Sequence, residues 1–287
     1  MRTPSNLITL SARCLSILAL GTFVACSHPG PDVANISGGA TGEAEEPPIT
    51  FAMADLEGDW FGQLVPDSVA RDTRNFYFSV VGGQLIESAD SFGNQWTSID
   101  ASSLDITTEG LVSASQSSVL VTNNIVLSAQ MDDAMSMLTG SFSHLDPSDT
   151  VVDGTFVLRR SIGAGQFAAP LLEGSWSGIG INSVGKRRLI DMLLDAAGAV
   201  LSGELIRPFD LVVQHVYSAA PGNVFAFTND SVGRMDNVQI TADDGSILFL
   251  TYALIDEDGT LLGGPGFDSL FGSGVATLTK SVGGGTE

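Results

Sequence analysis

Histidines, serines and clustered carboxylates are the residues here whose types could do chemistry, and few stand at working spacings. Of three histidines, His144 and His215 fall in the body of the chain at unrelated positions. Neither belongs to an HExxH or another paired metal spacing, so both read as solvated strand or loop residues. Ser141 and Ser273 stand near glycines but lack the GxSxG frame of a nucleophile elbow. Asp256-Glu257-Asp258-Gly259 and Asp243-Asp244-Gly245 look like the openings of calcium loops. Counting from Asp256, however, the twelfth position is Phe267, where an EF-hand needs Glu. Asp-Gly is also the chemistry of tight hairpin turns, and both segments are read as turns. The glycines around Gly263 to Gly266 lack the Lys and the following helix of a phosphate cradle. No catalytic residue, metal or cofactor is assigned.

Composition narrows the function classes further. The chain has 287 residues, with 12 Lys+Arg against 33 Asp+Glu and a net charge of −21. So acidic a surface offers nucleic acid no basic face, and nucleic acid is excluded as a partner. The only basic cluster, Lys186-Arg187-Arg188, is expected in a solvated loop or paired with local carboxylates. Hydrophobic residues make up 44%, enough to bury a core.

Residues 1–25 read as an export signal. Arg2 and Arg13 supply positive charge, and CLSILALGTFVA runs apolar up to Cys26. A helix needs about 20 apolar residues to span a bilayer, so this stretch is too short for a permanent anchor. Phe23-Val24-Ala25-Cys26 resembles the lipobox of bacterial lipoprotein signals, with Phe23 where Leu is usual. That resemblance implies a diacylated Cys26, cleavage just before it and, with Ser27 following, transport to an outer membrane or the cell surface. The alternative is an ordinary secretory signal with an incidental Cys. Cys14 would leave with the signal, so the mature chain would hold one cysteine at its first position. Loss of Arg2 and Arg13 leaves 10 basic against 33 acidic residues, a net charge of −23. Anionic headgroups would repel such a chain, so the membrane is a partner through the lipid. Residues 26–53, rich in Pro and Gly with an acidic run at Glu43 to Glu46, are read as the tether.

The body repeats itself. Leu56-Glu57-Gly58-Asp59-Trp60-Phe61-Gly62 returns as Leu172-Glu173-Gly174-Ser175-Trp176-Ser177-Gly178, and the run Gly154 to Ser161 is answered by Gly274 to Ser281. The repeats are placed at 54–162 and 163–287, with Gly263-Gly264-Pro265-Gly266 as an extra loop in the second. Within each, strand-length apolar runs are punctuated by turn signals. Asn75 to Val80, then Gly82-Gly83, then Gln84-Leu85-Ile86 reads as a hairpin, since Gly-Gly supplies positive φ. Lys186 to Ala197 could pass as an amphipathic helix, but its counterpart in the first repeat is a strand. The fold class expected is all-β: two tandem small antiparallel up-and-down barrels after a signal peptide and linker.

The GxW motifs at Trp60 and Trp176 resemble those of lipocalin-like (calycin) barrels. The resemblance implies that each Trp plugs a barrel floor beneath a basic residue of the last strand. Arg159 or Arg160 stands in that place in the first repeat and Lys280 in the second. Trp96 has no counterpart by motif and is the candidate exposed aromatic. The expected function is a non-catalytic envelope binding or interaction module, with an apolar small molecule as the candidate ligand. The alternatives are a purely structural spacer with filled barrels, or a hydrolase using paired carboxylates.

Overall fold

The computed structural model describes residues 48–68, 72–97, 101–117, 124–145, 150–270 and 272–281. Cys26, the export signal and most of the tether lie outside the described residues. Pro48–Glu287 forms one compact unit. It is all-β, built of two strongly curled antiparallel sheets, or half-barrels, in tandem.

The first half-barrel opens with a 3₁₀ turn (Met53–Leu56) and runs as β1 (Gly58–Pro66), β2 (Arg74–Val81), β3 (Gln84–Asp90) and β4 (Gln95–Thr97). It continues as β5 (Ala101–Ile106), β6 (Leu111–Ser117), β7 (Asn124–Met131), β8 (Met137–Leu145) and β9 (Val151–Arg160). Sequence neighbours pair at each step except β4 to β5, and β1 closes back on β9. Gly82 and Gly83 take φ of 61° and 72° in the β2–β3 turn, the region that favours glycine.

A second 3₁₀ turn (Ala169–Leu172) opens the other half, followed by β10 (Gly174–Asn182), β11 (Arg187–Leu194), β12 (Val200–Arg207) and β13 (Val212–Ser218). Then come β14 (Arg234–Thr241), β15 (Ile247–Ile255), β16 (Leu261–Asp268) and β17 (Gly272–Lys280). Again neighbours pair and the first strand meets the last, with the ladder open after the fourth strand, between β13 and β14. The strand reading of Lys186 to Ala197 therefore holds, as β11 and its turn. Both Asp-Gly segments are hairpin turns: Asp256 accepts from the backbone N–H of Thr260 and Leu261, and Asp244 from that of Ser246.

Gly263 to Gly266 is not an added loop. It lies inside β16, between β15 and β17. Proline is normally kept out of a central strand because it cannot donate to the ladder. Here β15 bulges opposite it: pairing jumps from Leu250↔Gly266 to Leu254↔Gly263, so one extra residue of β15 faces Pro265. Gly264 fills the tight side, where a Cβ would sit 1.9 Å from the Tyr252 carbonyl oxygen.

The halves are joined along β2. Its run Arg74-Asn75-Phe76-Tyr77-Phe78-Ser79-Val80 is buried on both faces. Phe76 and Phe78 fill the first half-barrel, while Phe61, Tyr77 and Ala89 belong to the core of the second. Phe61 meets Phe167 edge-on at 5.0 Å. Polar bonds fix the register of the join. Asn75 donates to the carbonyls of Leu254 and Leu261 at 3.1 and 2.9 Å, and the Tyr252 hydroxyl donates to those of Asp90 and Asn94 at 2.9 and 3.2 Å.

Candidate functional site

Each GxW tryptophan is fully buried, and the two have matching surroundings. Trp60 Nε1 donates to the Leu56 carbonyl at 2.9 Å, and Trp176 Nε1 to the Leu172 carbonyl at 2.7 Å. In both cases the acceptor ends the 3₁₀ turn that precedes the strand. A cation from the last strand lies over each ring, Arg160 at 5.9 Å from Trp60 and Lys280 at 5.6 Å from Trp176. The cations also cap the turns, Arg160 donating to the Glu57 carbonyl and Lys280 to that of Leu171. Pairing explains why Arg160 and not Arg159 takes this place: Trp60 is opposite Arg160, and Arg159 points to the other face. Arg159 instead makes an exposed ion pair with Glu257 at 3.1 Å.

Trp96, expected exposed, is fully buried. Its counterpart appears only when the register is stepped across the strands. Trp60 pairs with Phe78, Phe78 with Ser88 and Ser88 with Trp96. The second half steps from Trp176 to Met192, Gly203 and Tyr217. Tyr217 thus occupies the place of Trp96, a correspondence no local motif announces.

The histidines are also buried rather than solvated. His144 of β8 meets Trp96 edge-on at 5.8 Å. His215 of β13 lies with Nδ1 3.0 Å from Asp244 and Nε2 3.7 Å from Asp268. Burial, helped by the charges of Asp268 and Asp244, holds the Tyr217 hydroxyl well above its ordinary pKa, so it stays neutral. The Ser246 backbone N–H is the main reason the Asp244 carboxyl lies below the usual range, with His215 adding to it.

A histidine between two carboxylates could serve in proton transfer. Its position speaks for a latch instead. Asp244 lies in the β14–β15 turn, so the His215–Asp244 contact crosses the open seam. Asp243 reinforces it, its backbone N–H donating to the Val216 carbonyl at 2.9 Å and its carboxylate accepting from Ser218 at 2.9 Å. Asn223 straddles the seam too, donating to the carbonyls of Ser218 and Thr241 and accepting from the Thr241 N–H.

Beside Leu248, Leu250 and Asp268 the second interior leaves about 20 Å³. Beside Ser88 and Gln116 the first leaves about 10 Å³. A single water needs roughly 10–15 Å³, so neither void admits a substrate or an acyl chain. The larger space lies outside, in a groove of about 620 Å³ between Phe92 of the first half and the outer face of β10 and β17, including Ile179 and Ile181. Among the described residues no group of three His, Cys, Asp or Glu side chains is placed to hold a metal ion.

No family model matches the chain, and no curated protein matches it. Among solved structures it is similar to a protein of unknown function of the DUF3598 family from Nostoc punctiforme PCC 73102. That match has 10% identity over 80% of this chain and 97% of that chain, with a TM-score of 0.25. It is also similar to kievitone hydratase from Nectria haematococca, with 8% identity over 82% and 94% of the two chains and a TM-score of 0.24. Superposition this loose carries nothing about activity.

Proposed function

We propose that this protein is an exported, lipid-anchored envelope protein whose tandem half-barrels form a non-catalytic interaction module. What supports the interaction reading is the outer groove of about 620 Å³ beside Phe92, Ile179 and Ile181. The small interior voids beside Leu248 and beside Gln116 weigh against an apolar ligand inside and favour the spacer alternative. The anchor reading rests on Cys26 at the end of the apolar run and on the net acidity of the body. Neither a spanning helix nor a basic face is needed when two or more acyl chains supply stable attachment.

Cell fractionation tests the anchor: Cys26→Ser should leave the membrane fraction and retain its signal. A mutant that still pellets with membranes and is cleaved normally would overturn it. Fluorescence tests the filled interior. All three tryptophans are fully buried, so titration with fatty acid should leave their emission unmoved. A saturable shift would point to an interior site.

A further inference from the structure

The Trp floor of the second half-barrel has an opposite end, and its turns expose apolar side chains. Strand pairing brings three turns together there. β10 ends where β17 begins, with Asn182 opposite Gly274. β11 starts beside it, with Arg187 opposite Ile181. β12 ends at Arg207, opposite Val212 at the start of β13. The tips of these turns are apolar and open to solvent: Val184 is 73% exposed, Phe209 79%, Leu211 69% and Leu270 57%. Polar residues normally occupy such tips, so four apolar tips on one rim mark an interaction surface.

Two further observations point the same way. Leu211 holds φ at 56°, a conformation that strains any residue with a branched side chain and recurs at functional loops. The rim also carries Lys186, Arg187 and Arg188 of the β10–β11 turn; Arg207, over the Phe209 ring at 4.6 Å, is held by Asp210. Lys186 and Arg187 are exposed. The rim carries carboxylates as well: Asp210 pairs with Arg207, while Asp243 and Asp244 keep their charge as they accept from Ser218 and bond His215.

We propose that this rim seats on a phospholipid surface, the tips of Val184, Phe209, Leu211 and Leu270 entering the headgroup–acyl boundary while Lys186 and Arg187 meet lipid phosphates. Exposed apolar tips suit that boundary, and the two exposed cations of the β10–β11 turn, Lys186 and Arg187, stand beside them to meet phosphates locally although the chain as a whole is acidic. The contact rests on the membrane placement proposed above and adds an orientation to it. About 25 residues separate Cys26 from Phe51, and fully extended they reach at most about 90 Å, so the anchor leaves the rim free to turn toward the bilayer.

The full-length chain carrying Phe209→Trp, reconstituted on vesicles of brominated phosphatidylcholine with some phosphatidylglycerol, tests this directly. The native tryptophans are buried, so the new indole alone reports the rim. The proposal expects Trp emission to shift to the blue and to be quenched by the brominated chains. Ile162→Trp, at a position 89% exposed outside the rim, should remain unquenched. Lys186→Glu combined with Arg187→Glu should weaken the quenching by about fivefold per cation. Flotation with the vesicles without quenching at position 209 overturns the rim contact while leaving the lipid anchor standing. A chain that neither floats nor is quenched overturns it as well, and the Cys26→Ser fractionation then shows whether the anchor falls with it. Equal quenching at positions 162 and 209 also overturns it.

Discussion

Arg234 is the place where the join between the half-barrels can be measured. From β14 of the second half its guanidinium reaches the Tyr77 hydroxyl and Glu87 of the first. It also bonds Asp236 at 2.7 Å and lies 5.6 and 5.2 Å from the rings of Tyr77 and Tyr252. Burial works against its charge, but Tyr77, Asp236 and Glu87 outweigh it, and the guanidinium holds its proton more firmly than usual. Arg234→Met keeps the stem and removes the charge. Hydrogen bonds to charged groups contribute about 1.5–3 kcal/mol each, but they are not additive. The side chains of Glu87 and Asp236 are 35% and 29% exposed and would rehydrate, which lowers the cost. The buried Tyr77 hydroxyl would lose the guanidinium but keep its hydrogen bond with Glu87. We expect a loss of about 2–4 kcal/mol, or about 5–15 °C in Tm for a unit of this size. Arg159→Met is the control: its pair with Glu257 also joins the halves, yet both side chains are about half exposed, so removal should cost about 0–1 kcal/mol. Urea unfolding followed by Trp emission compares the two. Equal losses for the two variants would refute the argument that burial, and not the number of ion pairs, holds the join.

Three more outcomes are expected. Gly264→Ala forces a Cβ against the Tyr252 carbonyl and should cost at least about 1–3 kcal/mol by thermal melting; an unchanged Tm would show that β16 shifts freely. Lys280→Met should cost about 0.5–2 kcal/mol through the lost cation over Trp176, with a red shift of Trp emission absent in Thr279→Met, whose side chain lies on the other face. Acid should destabilise the fold. Asp210 is held below the usual carboxyl range by Arg207 and Asp244 by the Ser246 N–H. Groups with depressed native pKa values stabilise above the unfolded value, about 3.9 for Asp, and lose that contribution as pH falls through the native value. Tm should therefore fall below about pH 4, and a Tm that rises on acidification would contradict the assignment.

Much of the architecture was written in short-range signals. The paired GxW motifs, the Gly82-Gly83 turn and the Asp-Gly turns each place a strand end through local backbone chemistry, and the repeat sets strand order in both halves. Other features needed partners distant in sequence. Gly263 to Gly266 reads as a loop because Gly and Pro usually break strands. Only the bulge in β15 makes room for Pro265, and only the close Tyr252 carbonyl demands Gly264. Trp96 follows a turn signal, which suggests exposure, yet it is carried inside because Ser88 opposite it faces the interior. The histidines gave no motif since their carboxylate and aromatic neighbours come from other strands.

Periodicity and turn chemistry are properties of neighbouring residues, so the chain alone pointed to its strands and its duplication, while the choice of Arg160 over Arg159 beside Trp60 fell to strand pairing. Burial of both faces of β2 and the Arg234 network depend on side chains more than 100 residues apart meeting at fixed distances. Such meetings are set by packing of the two sheets against each other, and only the tertiary structure could decide them.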